Sequence, residues 1–346
     1  MAQINKPSEY FNTKLYTGTG AEQSITGVGF QPDWVWTKSR TSAYNHNSYD
    51  SVRGANKTLY QDLTNAEYVG TQGVKSFDSD GFTVGTDVAV NQSSANLVAW
   101  NWLAGGTPSS NTDGDITSSV SANTTSGFSI VSYTGTGATA TVGHGLSQTP
   151  EMVIVKLRSG SGTDWTVWGS VLGGTVGSEK MQLNNTGAKS TGLNSSWFNN
   201  TAPDSDVFTI GTQSDLNTSS STYIGYCFHS VKGYSKFGQY TGNGSTDGTF
   251  VYTGMRPAFI IVKRTDTTND WYIMDSTRSS YNPTANQLFA DLSNAEVTDQ
   301  EIDILSNGFK CRRVNDGTNA SGGTYIYMAF AENPLVGTNN IPATAR

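Results

Sequence analysis

The chain has 346 residues, enough for two or three domains that each bury a core of their own. Only 14% of the residues are charged, whereas glycine (38), tyrosine (16), phenylalanine (14) and tryptophan (8) are plentiful, so short strands joined by tight turns are favoured over helices. The net charge of -7 is spread thinly without a basic stripe, which argues against nucleic acid as a partner, and no apolar run is long enough for membrane insertion.

The N-terminal segment and the two cysteines are typical of a protein made in the cytoplasm. The segment MAQINKPSEYFNTK lacks the apolar stretch of a secretion signal. Cys227 and Cys311 are isolated and lack metal-ligand spacing. We therefore expect free thiols, with a disulfide as the alternative.

In chain order, the first recurring element is the phrase Tyr-Thr-Gly-x-Gly, which begins at Tyr16, Tyr133 and Tyr240. A proline-led apolar run that ends in lysine follows each phrase: PDWVWTK from Pro32, PEMVIVK from Pro150 and PAFIIVK from Pro257. Successive apolar residues predict a central strand that is covered on both faces. Trp34 and Trp36 are therefore interpreted as core residues rather than as a platform for sugar stacking. Recurrence of motifs in a fixed order predicts homologous units.

Two further elements are shared by the first and third copies. DSVR from Asp50 and DSTR from Asp275 predict local ion pairs, with Arg53 and Arg278 as the cationic partners, that brace a turn. A charged binding pocket is the alternative, and the second copy has Gly169 at this position. The strings LYQDLTNAE and LFADLSNAE fit a helix or a strand, and we expect a strand.

The stretch FDSDGFTVG contains Asp78 and Asp80 and is similar to the opening of a calcium-binding loop. The other two copies read PDSDVFTIG and ILSNGFKCR, so the aspartates vary while the phenylalanine is retained. A hairpin turn in which Asp or Asn caps its own backbone accounts for all three copies. We therefore predict a turn and no metal site.

A closing strand ends each copy: LVAWNW from Leu97, YIGYCF from Tyr223 and YIYMAF from Tyr325. Its alternation predicts one buried face, formed in the first copy by Val98, Trp100 and Trp102. On the opposite face, Tyr223, Tyr325 and Tyr327 are weak candidates for glycan binding, because tyrosine is frequent at half-exposed recognition surfaces.

These patterns predict an all-β chain of three tandem homologous antiparallel β-sandwich domains of the jelly-roll type. The predicted boundaries are 1–104 for the first domain, 105–127 for a linker, 128–232 for the second domain and 233–346 for the third. Within the linker, DITSSVSAN is alternatively an edge strand. The three predicted domains are referred to as units 1, 2 and 3.

Sequence motifs of catalysis are missing from the chain. No nucleophile elbow, His-Glu-x-x-His or phosphate-cradling loop occurs, and His46, His144 and His229 lie at non-equivalent positions. We therefore expect no enzymatic activity, no catalytic residue and no cofactor. A glycan-degrading enzyme whose two carboxylates meet across the fold is a less favoured alternative.

Four strings carry a family resemblance: SITGVGFQPDWVWTKSR, SFDSDGFTVG, YIGYCFHSVKGYSKFGQYTGNG and GGTYIYMAFAENP. They resemble a repeat-containing family of structural or tail-associated proteins encoded by tailed bacteriophages, particularly marine ones. The resemblance extends from about Tyr10 to Arg346 and implies a concanavalin-like lectin sandwich. It brings no catalytic or ligand-binding residue with it.

The resemblance implies a non-enzymatic virion structural protein, assembled in the host cytoplasm and displayed on the particle surface. Tail fibre or host attachment protein and capsid decoration protein are both compatible with it. The expected partners are other virion proteins and host surface glycans, and a homo-oligomer is expected. A carbohydrate-binding, lectin-like module is the alternative function.

Overall fold

Short runs of β-branched and aromatic residues, separated by glycine, asparagine and aspartate, give this chain an all-β fold. The computed structural model describes residues 3–160, 162–173, 178–337 and 342–344. Helices within these residues are single turns: the 3₁₀ turns Pro7–Glu9 and Ser170–Leu172 and the α-helices α1 (Val88–Asn91) and α2 (Ser214–Asn217).

The strands follow one another in three groups. Those of unit 1 are β1 (Phe11–Thr17), β2 (Gln23–Thr26), β3 (Trp34–Ser39), β4 (Asn47–Asp50), β5 (Lys57–Tyr60), β6 (Tyr68–Val69), β7 (Val74–Asp78), β8 (Gly81–Val84) and β9 (Asn96–Trp102). Those of the predicted linker and unit 2 are β10 (Ser109–Asn111), β11 (Ser118–Asn123), β12 (Phe128–Thr134), β13 (Ala140–Gly143), β14 (Met152–Leu157), β15 (Thr166–Gly169), β16 (Met181–Gln182), β17 (Val207–Ile210) and β18 (Thr222–Phe228). Those of unit 3 are β19 (Ser235–Thr241), β20 (Phe250–Tyr252), β21 (Met255–Arg264), β22 (Trp271–Asp275), β23 (Thr284–Phe289), β24 (Val297–Leu305), β25 (Gly308–Cys311) and β26 (Thr324–Pro334).

One strand order recurs in the three large antiparallel sheets. The sheets read β1-β9-β3-β4-β5-β6, β10-β11-β12-β18-β14-β15-β16 and β19-β26-β21-β22-β23-β24-β25-β20. In each, the closing strand (β9, β18 or β26) lies between the opening strand and the proline-led strand, and the following strands extend the sheet on that side. Two small sheets, β2-β8-β7 and β13-β17, complete the arrangement.

The outer face of each large sheet is covered locally. In unit 1, Phe82 of the small sheet packs with Val35 and Ala99 of the large one. In unit 2, β13 and β17 cover the large sheet in the same way, and in unit 3 the second half of the eight-stranded sheet turns over its first half. The result is a sandwich-like pair of layers with its own apolar core in each unit.

The inner faces of the three large sheets converge on one common core. Trp34 of unit 1 stacks on Trp102, with ring centroids 4.3 Å apart, and on Tyr226 of unit 2, at 4.6 Å. Phe330 of unit 3 contacts Phe11 at 5.2 Å and also belongs to this core. Large aromatic side chains bury much area each, so this cluster is the main apolar link between the units.

Several sequence predictions about elements are confirmed. The proline-led strands β3 and β14 are buried at every position, as expected for strands covered on both faces. Val98, Trp100 and Trp102 face the common core, and Trp34 and Trp36 are core residues. The strings from Leu59 and Leu288 are strand only over their first two residues, at the ends of β5 and β23. The expectation of a strand is wrong for the remaining seven residues of each string, which form a turn and a loop. The alternative that DITSSVSAN forms a strand is correct, because β11 pairs with β12. Its expected edge position is wrong, because β10 pairs with the other side of β11 and is itself the edge.

The recurring phrase Tyr-Thr-Gly-x-Gly ties the opening strand to the loop before the closing strand. Its tyrosine hydroxyl donates a hydrogen bond to a backbone carbonyl of that loop at 2.7–2.8 Å in each unit, from Tyr16 to Val90, from Tyr133 to Leu216 and from Tyr240 to Thr318. An asparagine from the same loop, Asn91 in unit 1, is buried and donates to the carbonyls of Ala21 and Gly85. The motif therefore has an architectural role.

Candidate functional site

The turn that resembled a calcium loop bonds to the protein itself. The Asp78 carboxylate accepts hydrogen bonds from the hydroxyls of Ser76 and Thr83, at 2.8 and 2.7 Å. The Asp80 carboxylate accepts from the backbone N–H groups of Gly27 and Gly29, at 2.9 and 2.7 Å. The predicted hairpin turn is confirmed, although Asp80 braces a neighbouring loop instead of its own turn. Across the described residues, no group of three or more His, Cys, Asp or Glu side chains is arranged to hold a metal ion.

A buried charge cluster joins units 1 and 2. Arg53 binds Asp50 at 2.5 Å and Glu67 at 3.2 Å, and the side chains of Arg53 and Asp50 are fully buried. Glu67 also pairs with Arg158 of unit 2 at 2.9 Å, and these arginines hold the pKa of its carboxyl below the ordinary value although burial opposes them. The Tyr226 hydroxyl of unit 2 donates to Asp50 at 2.7 Å. The predicted local ion pair is therefore one part of a contact between units.

An equivalent cluster joins units 3 and 1. Arg278 binds Asp275 at 2.5 Å and Glu296 at 3.0 Å. Glu296 pairs with Arg40 of unit 1 at 2.7 Å, and the indole N–H of Trp100 donates to Asp275 at 3.0 Å. Because both clusters are enclosed by protein, the alternative of an open charged pocket does not fit them.

The boundary between units 2 and 3 has a different chemistry. Gly169 occupies the strand position of Asp50 and Asp275, and Met328 occupies the position of Tyr226 and Trp100. Thr265 stands at the position of Arg40 and Arg158, because its N–H donates to the Thr324 carbonyl as theirs donate to Asn96 and Thr222. The neighbouring Arg264 binds Asp266 of its own unit at 2.9 Å. Unit 2 therefore lacks the buried carboxylate, and unit 3 lacks the side chain that would donate a hydrogen bond to it.

Three equivalent buried lysines lie close to the same boundaries. Lys156 donates to the backbone carbonyls of Thr64 in unit 1 and Thr163, at 3.1 and 2.7 Å, and Lys263 donates to Thr186 of unit 2 at 3.1 Å. Lys38 donates to Ser39 at 2.8 Å. Burial lowers the pKa of each ammonium to about 8. Their partners are carbonyl oxygens of loops, so the lysines fasten backbone to backbone.

One more set of equivalent contacts involves the residue at the start of β4, β15 and β22. The indole of Trp165 donates to the carbonyl of Tyr60 in unit 1, and that of Trp271 donates to Gln182 in unit 2, at 2.8 and 2.9 Å. His46 stands at this position in unit 1, and its Nδ1 accepts from Trp36 at 2.8 Å. Complete burial lowers the pKa of His46 well below its ordinary value, so it is neutral.

The other two histidines also have structural surroundings. The ring of His144 contacts the Asp204 carbonyl and accepts from the N–H of Leu146, and His229 contacts the Ser230 carbonyl. Burial lowers the pKa of both imidazoles. Cys227 and Cys311 are free and buried, as predicted, and burial raises the pKa of each thiol to about 12.

The three tyrosines considered for glycan binding are not on the surface. Tyr223, Tyr325 and Tyr327 are buried in the outer cores of units 2 and 3. The hydroxyl of Tyr223 donates to the Ser214 carbonyl and that of Tyr325 to the Asp316 carbonyl, at 2.7 and 2.8 Å. The expectation of a half-exposed face is wrong because the smaller layer of each sandwich covers it.

Two surface features remain as candidates for binding. A groove of about 210 Å³ lies between β1 of unit 1 and the ends of β22 and β26 of unit 3, and its walls mix hydroxyl, amide, carboxylate and apolar groups. On β20, Phe250 and Tyr252 are 44% and 60% exposed on the outer face of the sheet. The sequence analysis identified neither the groove nor the exposed pair on β20. Their one indication in the sequence is that unit 3 has different residues from units 1 and 2 at these positions.

The fold and its interior define an all-β protein whose sandwich-like layers share one core and whose buried charges join its parts. The chain belongs to the family described as domain of unknown function DUF7483, which matches residues 6–334. No curated protein and no solved structure matches the chain. Across the described residues, no helix is long and apolar enough to cross a membrane.

Proposed function

We propose that the chain consists of three homologous β-sandwich units closed into a ring, and that it is a non-enzymatic structural protein on the surface of a bacteriophage particle. The recurring strand order and the equivalent contacts at the unit boundaries support the first part. The resemblance of four long sequence strings to phage structural proteins supports the second. Tail-associated attachment and capsid decoration are both compatible with this proposal.

The main support for the proposal is that the buried polar groups bind one another and the backbone across a unit boundary. Asp50, Arg53, Glu67 and Arg158 are bound to one another or to backbone, and they bridge two units. A catalytic group would instead need an accessible reacting atom and a poised partner. Charges placed in this way favour a durable scaffold, which is what a part exposed outside the cell without disulfides requires.

Labelling of particles tests the location. Antibodies against the purified protein, coupled to gold, should decorate purified virions at one structure, either the tail or the capsid. Pre-immune antibody on the same grids is the control. Label confined to debris of infected cells, with bare virions, would contradict the proposal.

A second candidate function, carbohydrate binding, is favoured by the groove between units 1 and 3. Its walls combine hydroxyl and carboxylate groups with apolar ones, as sites for small polar ligands do. The two functions are compatible, because an attachment protein on a particle can act by holding a host glycan.

A further inference from the structure

The groove lies where units 1 and 3 meet, and its lining differs from that of the two boundaries that the chain crosses after β9 and β18. After β9, the chain passes from unit 1 towards unit 2, and the Asp33 carboxylate accepts from the N–H groups of Ala104 and Gly106, at 2.8 and 3.1 Å. After β18, the Glu151 carboxylate accepts in the same way from the N–H of Ser230, at 2.8 Å. These carboxylates hold the crossing peptide in place at two boundaries.

At the third boundary the equivalent position is Ala258, directly before Phe259 of β21. Ala258 and the neighbouring Ser276 and Thr277 instead line the groove. A methyl group thus replaces the carboxylates of Asp33 and Glu151, and the space beside it forms part of the groove.

The walls of the groove determine what kind of ligand fits. Thr13 is only 8% exposed, and its hydroxyl has no hydrogen-bond partner among the described residues, which is a costly arrangement for a buried polar group. The Glu332 side chain is 31% exposed and lies 3.5 Å from Arg256, so the carboxylate is balanced by a cation. Phe11 and Ala331 supply the apolar part of the wall.

The size and the charge of the groove further restrict the kind of ligand that it can bind. A volume of about 210 Å³ corresponds to roughly seven water molecules at ~30 Å³ each, which is room for one six-membered ring with its hydroxyl groups. The paired Glu332 and Arg256 leave no net charge to attract an ion. A ligand with several hydroxyls and one apolar face satisfies both the polar and the apolar walls.

We propose that this groove binds one residue of a neutral sugar. The sugar hydroxyls bond to Thr13 and Glu332, and a C–H face of the ring packs against Ala258 and Ala331. This inference rests on the proposed function, because a sugar site serves the particle only if the protein attaches it to a host. Its test is independent, because particle labelling reports location and sugar binding does not.

The test is a titration of the full-length protein with free glucose, galactose, mannose and N-acetylglucosamine, followed by saturation-transfer NMR and calorimetry. At least one sugar should bind saturably with a millimolar Kd. Thr13→Val, which removes one hydroxyl, should weaken that binding about tenfold, the usual consequence of losing one hydrogen bond to a ligand. Ala258→Glu places in the groove the side chain that unit 2 carries at this position, and it should abolish binding.

Tyr252→Ala is the matched control, because Phe250 and Tyr252 form a separate exposed aromatic surface on which a sugar could stack. It should leave the Kd unchanged. Absence of saturable binding for all four sugars, unchanged binding in Thr13→Val and Ala258→Glu, or loss of binding in Tyr252→Ala would each overturn the proposal. Thermal melts establish that the variants are folded, and if Ala258→Glu fails to fold, Thr13→Val decides the outcome.

Discussion

At the scale of single residues, the three units act as internal controls for one another. Asp62 and Asp291 accept a hydrogen bond from the backbone N–H at the start of β4 and β22, at 3.1 and 2.9 Å. Asn184 accepts the equivalent bond from Trp165 in unit 2, at 2.7 Å. An amide oxygen thus performs the same task as a carboxylate, without the cost of burying a charge.

Asp62→Asn and Asp291→Asn should each stabilise the protein at neutral pH by about 1 kcal/mol. Burial raises the pKa of both carboxyls from 3.8 to about 6. The folded state therefore binds a proton more tightly than the unfolded state, and this stabilising contribution is present below pH 3.8 and lost as the pH rises through about 6.

Chemical denaturation at pH 7 and pH 4 checks this. Asp62→Asn and Asp291→Asn should each raise the free energy of unfolding at pH 7, and the increase should be smaller at pH 4. The reverse substitution, Asn184→Asp, is the control and should destabilise at pH 7 only. An equal effect at the two pH values in all three variants would refute the explanation by buried charge.

The fully buried Arg53 should contribute far more to stability than Arg264, which pairs with a more exposed carboxylate. Arg53→Met leaves Asp50 and Glu67 without their shared cation in the interior and should cost about 3–5 kcal/mol of unfolding free energy. Arg264→Met removes a pair with the partly exposed Asp266 and should cost no more than about 1 kcal/mol. Urea titrations of both variants measure the difference, and similar losses would mean that burial of the cluster is unimportant.

At the scale of elements, the repeated glycine of Tyr-Thr-Gly-x-Gly is explained by contact. Gly18, Gly135 and Gly242 each lie so close to a backbone carbonyl of the loop before the closing strand that a Cβ atom would overlap its oxygen.

Open edges are also marked in the sequence, because β1 and β19 carry Lys14 and Lys236, whereas β12, which β11 covers, carries Val131. Lysine on an open edge discourages pairing with other chains.

Gly18→Ala should destabilise the protein by about 2–4 kcal/mol, because the carbonyl of Gln92 is part of a tightly bonded loop and cannot yield freely. Gly337→Ala is the control, since no atom of the described part of the chain lies within 4 Å of a Cβ built there. Thermal unfolding of the two variants compares them directly. A Gly18→Ala protein as stable as the parent would show that the close approach is not required.

The strands and their buried faces were readable from the sequence, but their partners were not. Alternation in LVAWNW predicted that Trp100 and Trp102 are buried, yet periodicity does not reveal whether the covering layer belongs to the same unit or to another. The Asp50–Arg53 pair was readable because the two residues are three apart, whereas Glu67 and Arg158 meet it only through tertiary folding. Tyr223 was misplaced for the same reason, since nothing local predicts the layer that covers it.

At the scale of the whole molecule, the common core makes the units interdependent. Trp34, Trp102, Tyr226 and Phe330 come from three different units and contact one another or belong to one cluster. A separated unit would expose these rings to water and would also leave half of a buried charge cluster without its partner. Stability is therefore expected to belong to the whole chain and not to the segments between the predicted domain boundaries.

The fragments 1–104, 128–232 and 233–346 should accordingly fail to fold when expressed alone, and the full-length protein should unfold in one cooperative transition. Near-ultraviolet circular dichroism and calorimetry measure both. Co-expression of 1–232 with 233–346 is the informative control, because the two boundaries of unit 3 then form without a covalent link. Recovery of a native-like complex would support ring closure through the Arg40–Glu296–Arg278 cluster. Separate transitions in the intact chain, or a stable isolated unit, would instead show that the outer cores suffice and that the common core is secondary.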